Sequence, residues 1–191
     1  MNLFTPSIIF LPFLLGACAN SPSQLLSSEY AESCHLAERS NDLNSAEKQC
    51  YLALVNTESS NNPKLRSLRL YKLGKIRLQL AKFHDSELLI KESLQIEESL
   101  GSTPKTIGSR LIDLSSSLAE QGRWQEGATL LERLLPIAPQ FSKLERTRIG
   151  QLLIQYSRQL KSLNQAELAK RFKATASIIV DNDTYFFRSV K

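Results

Sequence analysis

Leucine recurs at helical intervals along most of this chain, and residues that favour turns interrupt the recurrence at regular distances. The clearest unit lies at residues 108–139. Leu111, Leu114, Ser115 and Leu118 share one helical face, and the run Gly122-Arg123-Trp124-Gln125-Glu126-Gly127 ends that helix. Leu130, Leu131, Leu134 and Leu135 mark a second face, closed by Pro139. These residue types suit an antiparallel helix pair: a leucine stripe, a glycine for the tight turn, an aromatic wedge, and a small residue where the two helices cross closely.

The same template fits three more times. The turn position reads Asn41, Ala81, Gly122 and Asn164, at spacings of 40, 41 and 42 residues. The wedge reads Leu43, Phe83, Trp124 and Ala166, and the crossing position reads Ala46, Ser86, Gly127 and Ala169, small in every copy. First helices align as Tyr30/Ser33/Cys34/Ala37, Leu70/Leu73/Gly74/Arg77, Leu111/Leu114/Ser115/Leu118 and Leu153/Tyr156/Ser157/Leu160. The pattern, with Leu70-x-x-Leu73-Gly74 as its sharpest instance, resembles the tetratricopeptide repeat (TPR). The unit length near 41, with Ser93–Gly101 ahead of the next copy, is similar to the long repeats of kinesin-light-chain-like proteins. The resemblance covers residues 28–177 and implies an all-α, right-handed α-solenoid of about four TPR-like helix pairs.

Such solenoids bind ligands on the concave side lined by first helices. By that similarity the groove residues are His35 and Arg39, then Tyr71, Lys75 and Gln79, then Ser109, Ile112, Ser116 and Glu120, then Ile154, Arg158 and Lys161. Lys75, Arg158 and Lys161 would hold carboxylates of a protein or peptide segment, while Tyr71 and Ile112 supply apolar contact.

The chain start has a different texture. Residues 3–17, LFTPSIIFLPFLLGA, carry no charge and end in small residues, the layout of a signal peptide; the run is too short to span a bilayer, which takes about 20 apolar residues. Leu15-Gly16-Ala17-Cys18 resembles the lipobox of bacterial lipoproteins, which implies cleavage after residue 17 and a diacylglyceryl group on Cys18. Lys or Arg near the start, usual in that family, is missing. Ala19, where inner-membrane lipoproteins typically carry Asp, favours the outer membrane, facing the periplasm. Residues 18–27 read as a lipidated tether.

With Cys18 acylated, Cys34 and Cys50 remain, and export places them in an oxidising compartment. Cys34 occupies the small position of its helix and Cys50 the facing side of the next, so both point into one crossing. The two readings are a disulfide closing a loop of about 15 residues and a pair of buried free thiols.

Composition changes the picture little, with 42% hydrophobic and 23% charged residues, but charge placement changes it more. Lys64, Arg66, Arg69, Lys72, Lys75, Arg77 and Lys82 fall in a stretch without an acidic residue. That stretch suggests an alternative, a basic surface for acidic lipid or glycan of the envelope. Glu97 and Glu98 read as a solvated face. No nucleophile with a base, phosphate-cradling glycine loop, zinc-ligand spacing or paired carboxylates is found, so neither an enzyme nor a cofactor or metal is expected. Nucleic acid is disfavoured by compartment and by the lack of an aromatic stacking series. In the tail, residues 178–191, Asp181-Asn182-Asp183 reads as a turn, after which Tyr185, Phe186 and Phe187 either cap the last helix pair or form an exposed apolar partner site. Together these features predict an outer-membrane-anchored scaffold that binds a protein segment.

Overall fold

A computed structural model describes residues 22–58 and 61–186, with side chains as far as Val180. Among the described residues eight α-helices follow one another: α1 (Pro22–Arg39), α2 (Leu43–Val55), α3 (Pro63–Gln79), α4 (Phe83–Ser99), α5 (Pro104–Glu120), α6 (Trp124–Leu134), α7 (Lys143–Ser162) and α8 (Ala166–Phe186). A short 3-10 turn, Ala138–Gln140, contains Pro139. No strand occurs among the described residues.

Local chemistry sets the helix boundaries. First helices begin at side-chain caps: Asn62, Thr103 and Ser142 each accept a backbone N–H, Pro63 and Pro104 occupy the opening turn, and Ser142 forms a capping box with Glu145. Within each pair the chain reverses through one left-handed residue. These are Asn41, Ala81, Gly122 and Asn164, with φ of 60°, 58°, 73° and 61°, the four turn positions expected from the spacing. The next residue but one, Leu43, Phe83, Trp124 or Ala166, opens the second helix.

Each helix packs on its chain neighbours, and α3 also lies against α5 and α5 against α7. Those contacts skip the second helices, which puts the first helices on the inner side of an α-solenoid. Close crossings depend on small side chains. Ser115 Oγ donates to the Gly127 carbonyl (3.3 Å) and Ser157 Oγ to the Ala169 carbonyl (2.7 Å). A Cβ on Gly127 would stand 1.8 Å from the Tyr156 hydroxyl. A second row of small residues, Ser27, Ser67, Gly108 and Gly150, repeats with the same steps. Ser27 Oγ donates to the Ala53 carbonyl (2.9 Å) and Ser67 Oγ to the Ser93 carbonyl (3.3 Å), while a Cβ on Gly108 or Gly150 would meet Phe141 or Val180 within 3 Å.

One buried cluster gathers Cys34, Ala46, Cys50, Leu54, Leu70, Leu73 and Ile76. A larger one runs from Ile90 to Ile179, with Tyr156 fully buried between Trp124 and Phe172 in edge-on ring contacts of 5.1 and 6.5 Å. Tyr156 of α7 thus packs on Trp124, the wedge of the third pair, while Ala166 leaves the fourth pair without an aromatic wedge.

Three expectations change. Residues 22–27 are helical and Ser27 is buried, so the stretch read as tether is structured from Pro22. Helix α8 runs through Asp181-Asn182-Asp183 without turning, because continuing the backbone ladder outweighs a few tenths of a kcal/mol of unfavourable propensity per residue. Glu97 is buried, as described below. The lipobox with Cys18, and the side chains of Tyr185, Phe186 and Phe187, lie outside the described residues.

Candidate functional site, the wall of first helices

The repeat steps align the first helices into rows across the inner wall. One row reads Ser28, Leu68, Ser109, Gln151; the next Ala31, Tyr71, Ile112, Ile154; the next His35, Lys75, Ser116, Arg158; the last Arg39, Gln79, Glu120, Ser162. Lys161 belongs instead with Glu38, Leu78 and Ala119, one helical position round from the inner wall.

Tyr71 is the centre of this wall. Its hydroxyl donates to Asp113 Oδ2 at 2.6 Å and to the Ser109 carbonyl at 3.2 Å, tying α3 to α5. The Arg110 guanidinium lies 3.9 Å from the Tyr71 ring centroid and Lys75 Nζ lies 5.7 Å from it. Burial, then the Asp113 charge, pushes the phenol far above its ordinary range. Burial also raises the Asp113 carboxyl, against the pull of the Tyr71 hydrogen bond and of Lys75, Arg110 and Arg148. The structure therefore joins Tyr71 and Lys75, and adds three residues absent from the expected set: Asp113, Arg110 and Arg148. Asp113 was within reach of sequence reasoning, since it lies four residues after Ser109 on the same helical stripe.

The other expected groove residues are placed as follows. Ile112 and Ile154 are partly buried against the larger core. Ser116 Oγ donates to the Ile112 carbonyl within its own helix. His35 is exposed, 3.9 Å from Glu38. Gln79, Glu120, Arg158 and Lys161 are exposed on α3, α5 and α7. Leu68, not among the expected residues, is 50% exposed between two clefts, one against Ala31, Cys50 and Ala53, the other against Lys64, Thr106 and Arg110.

The basic segment 64–82 is largely neutralised from within. Lys64 pairs with Glu97, Arg66 with Glu92, Lys72 with Glu38, and both Arg77 and Lys82 with Glu47. Arg69 Nε donates to Ser27 Oγ. The acidic pair read as a solvated face divides. Glu98 stays at the surface with Arg133, but Glu97 is 1% exposed and receives Lys64, Ser67, Ser102 and Arg110. Successive helical residues point about 100° apart, which sends one inward and leaves the other out. Burial alone would raise the Glu97 carboxyl, yet the hydrogen bonds from Lys64, Ser102 and Ser67 and the Arg110 charge together hold it at about 2.

Cys34 and Cys50 stand at disulfide distance, with Cα atoms 5.1 Å apart. Among the described residues no group of three or more His, Cys, Asp or Glu is placed to hold a metal ion, and no helix is long and apolar enough to cross a membrane.

Comparison with solved structures places the fold among TPR-like repeat proteins. A point variant of a putative kinesin light chain from Podosopora anserina, with nearly identical TPR-like repeats, superposes with a TM-score of 0.65 at 12% identity, covering 83% of this chain and 76% of that one. BtubC (BKLC) from P. vanneervenii gives a TM-score of 0.72 at 19% identity, covering 86% and 67%. No family model matches the chain, and no curated protein does.

Proposed function

We propose that the protein is a lipid-anchored envelope scaffold whose wall of first helices holds an extended, anionic protein segment. The TPR-like solenoid supports the scaffold part of this reading, since stacked helix pairs offer a long surface that a single chain segment can follow. The observation that carries the choice of ligand is the distribution of unspent charge. Lys75, Arg148 and Arg158 on the first helices make no ion pair among the described residues, whereas five of the seven bases of segment 64–82 are committed to Glu38, Glu47, Glu92 or Glu97. Cations without an ion pair near Tyr71 and Ile112 suit a segment with carboxylates flanking apolar side chains. The alternative of a basic surface for acidic lipid or glycan loses much of its charge to these internal pairs. The anchor rests on the uncharged segment 3–17 and on Leu15-Gly16-Ala17-Cys18, and Ala19 directs it to the outer membrane facing the periplasm.

Titration of the processed chain with a panel of fluorescent peptides, acidic against neutral, tests the ligand. Lys75→Glu combined with Arg158→Glu is expected to weaken acidic peptides at least about tenfold, the effect of about 1.4 kcal/mol, while Lys48→Glu, at an exposed position of the second helix α2, leaves them unchanged. Equal affinity in all three proteins, or no preference for acidic peptides, rejects the groove. Acyl-chain labelling that persists in Cys18→Ser rejects the anchor.

A further inference from the structure

The two ends of the described solenoid expose faces whose counterparts at interior junctions are mostly buried, Gln159 of α7 in the register of Leu36 being an exposed exception. At α4, Glu87, Ile90, Leu94 and Glu97 are buried under α5. The positions in the same register on α8, 83 residues on, are Lys170, Lys173, Ser177 and Val180, all exposed. At α3, Leu73 and Ile76 are buried at the junction with the preceding pair, and their equivalents on α1, 40 residues earlier, are Ser33 and Leu36, both exposed, Leu36 at 56%.

The charges on these end faces are complementary, in positions where interior junctions carry ion pairs. The first junction joins Glu47 to Lys82 at 2.5 Å and the second Glu87 to Arg123 at 2.5 Å, while the third has Ala128 and Gln165 in these positions. In that register the C-terminal face carries Lys170 and the N-terminal face Asp42. Glu38 pairs with Lys72 across the first junction, and there the C-terminal face carries Lys161 and the N-terminal face Glu32. Both pairs have their signs exchanged, so a cation at one end of the chain meets an anion at the other. None of the four makes an ion pair among the described residues, although Asp42 also accepts the Ser45 N–H as a helix cap.

We infer that copies of this chain stack head to tail, α1 of one copy docking on α7 and α8 of the next as if it were a further repeat. Lys161 of one copy then meets Glu32 of its neighbour, Lys170 meets Asp42, and Leu36 is covered. The contact uses different surfaces on the two copies, so it does not close on itself and builds an open row. This inference is independent of the peptide groove, whose rows lie on another face.

The test places a photo-cross-linking residue at Leu36 of the full-length chain expressed in cells, with the same residue at Leu88 on α4 as a control. A ladder of dimers, trimers and higher species is expected from position 36 and none from position 88. Glu32→Lys alone, and Lys161→Glu alone, put like charges opposite each other and are expected to reduce the ladder about tenfold. Co-expressing the two variants restores opposite charges at every junction and is expected to restore the ladder. Circular dichroism of each variant should match the parent, since both side chains are exposed and free of ion pairs. The inference is overturned by the absence of a ladder in the parent chain, by cross-links solely to other proteins, by ladders indifferent to the single changes, or by a mixture that fails to recover.

Discussion

At the crossing of α3 and α4 a buried hydroxyl lacks a hydrogen-bond partner. Ser86 Oγ is fully enclosed and has no hydrogen-bond partner among the described residues; Gly74 stands in the facing small position, where the equivalent crossings have Ser115 and Ser157 donating to the Gly127 and Ala169 carbonyls. Gly74 cannot easily be enlarged, since a Cβ there would lie 2.6 Å from Ile90 Cγ1. Ser86→Ala is therefore expected to stabilise the protein by about 1 kcal/mol, by removing an unmet polar group, while Ser157→Ala destabilises it by a similar amount. Thermal melts of the two variants should move in opposite directions. The sequence made this set of small residues visible, because size at a fixed register is a one-residue property. It did not reveal which hydroxyl would be satisfied, which depends on the partner helix. The second small row, Ser27, Ser67, Gly108 and Gly150, was equally periodic and would have been found by extending the same steps to each helix start.

Among the elements, α4 shows how a helix that reads as solvated can carry the junction. Leu94 faces the core as its spacing predicts, but Glu97 lies on the same buried side and joins α3, α4 and α5 through Ser67, Lys64 and Arg110. Composition alone hides this, since a buried acid differs from an exposed one only by its neighbours. Because the folded carboxyl sits at about 2 and its ordinary value is 4.5, the folded state binds fewer protons than the unfolded chain between those values. Its contribution to stability is fully present above about pH 4.5 and is lost as pH falls toward 2. Glu97→Gln should flatten that part of the acid-unfolding profile and cost roughly 3 kcal/mol at neutral pH, as loss of one partner from a buried charge pair does. An unchanged acid limb in the variant would show that the carboxylate is not held ionised by this network. The boundaries of α1 and α8 were the least legible elements. Local cues at 22–27 and 181–183 favoured irregular structure, and the cooperative extension of the flanking helices prevailed.

For the whole molecule, the number of repeats, the order of helices and the inner wall followed from four turn residues at steps of 40, 41 and 42, because nearest-neighbour stacking leaves the chain few other ways to bury its stripes. The wall's electrostatics did not follow, since Tyr71, Arg110 and Asp113 meet only across two repeats. Among the described residues the first pair has a neighbour on one side alone, and it holds the two cysteines at bonding distance. Reduction is therefore expected to weaken it most, by about 3 kcal/mol for a loop of this length. Hydrogen exchange should show amides of residues 22–58 losing protection first under reductant, with those of α5 to α7 unaffected. Two free thiols in the unreduced, denatured chain would reject the bridge.

Packing on sequential neighbours also bears on how the molecule is made. Among the described residues no helix waits for a partner from the far end of the polypeptide, so the earliest pair can close as soon as the chain up to Val55 has emerged from the ribosome or through a translocation pore. Each later pair then adds to a finished edge, and synthesis from the N-terminus becomes the order of assembly.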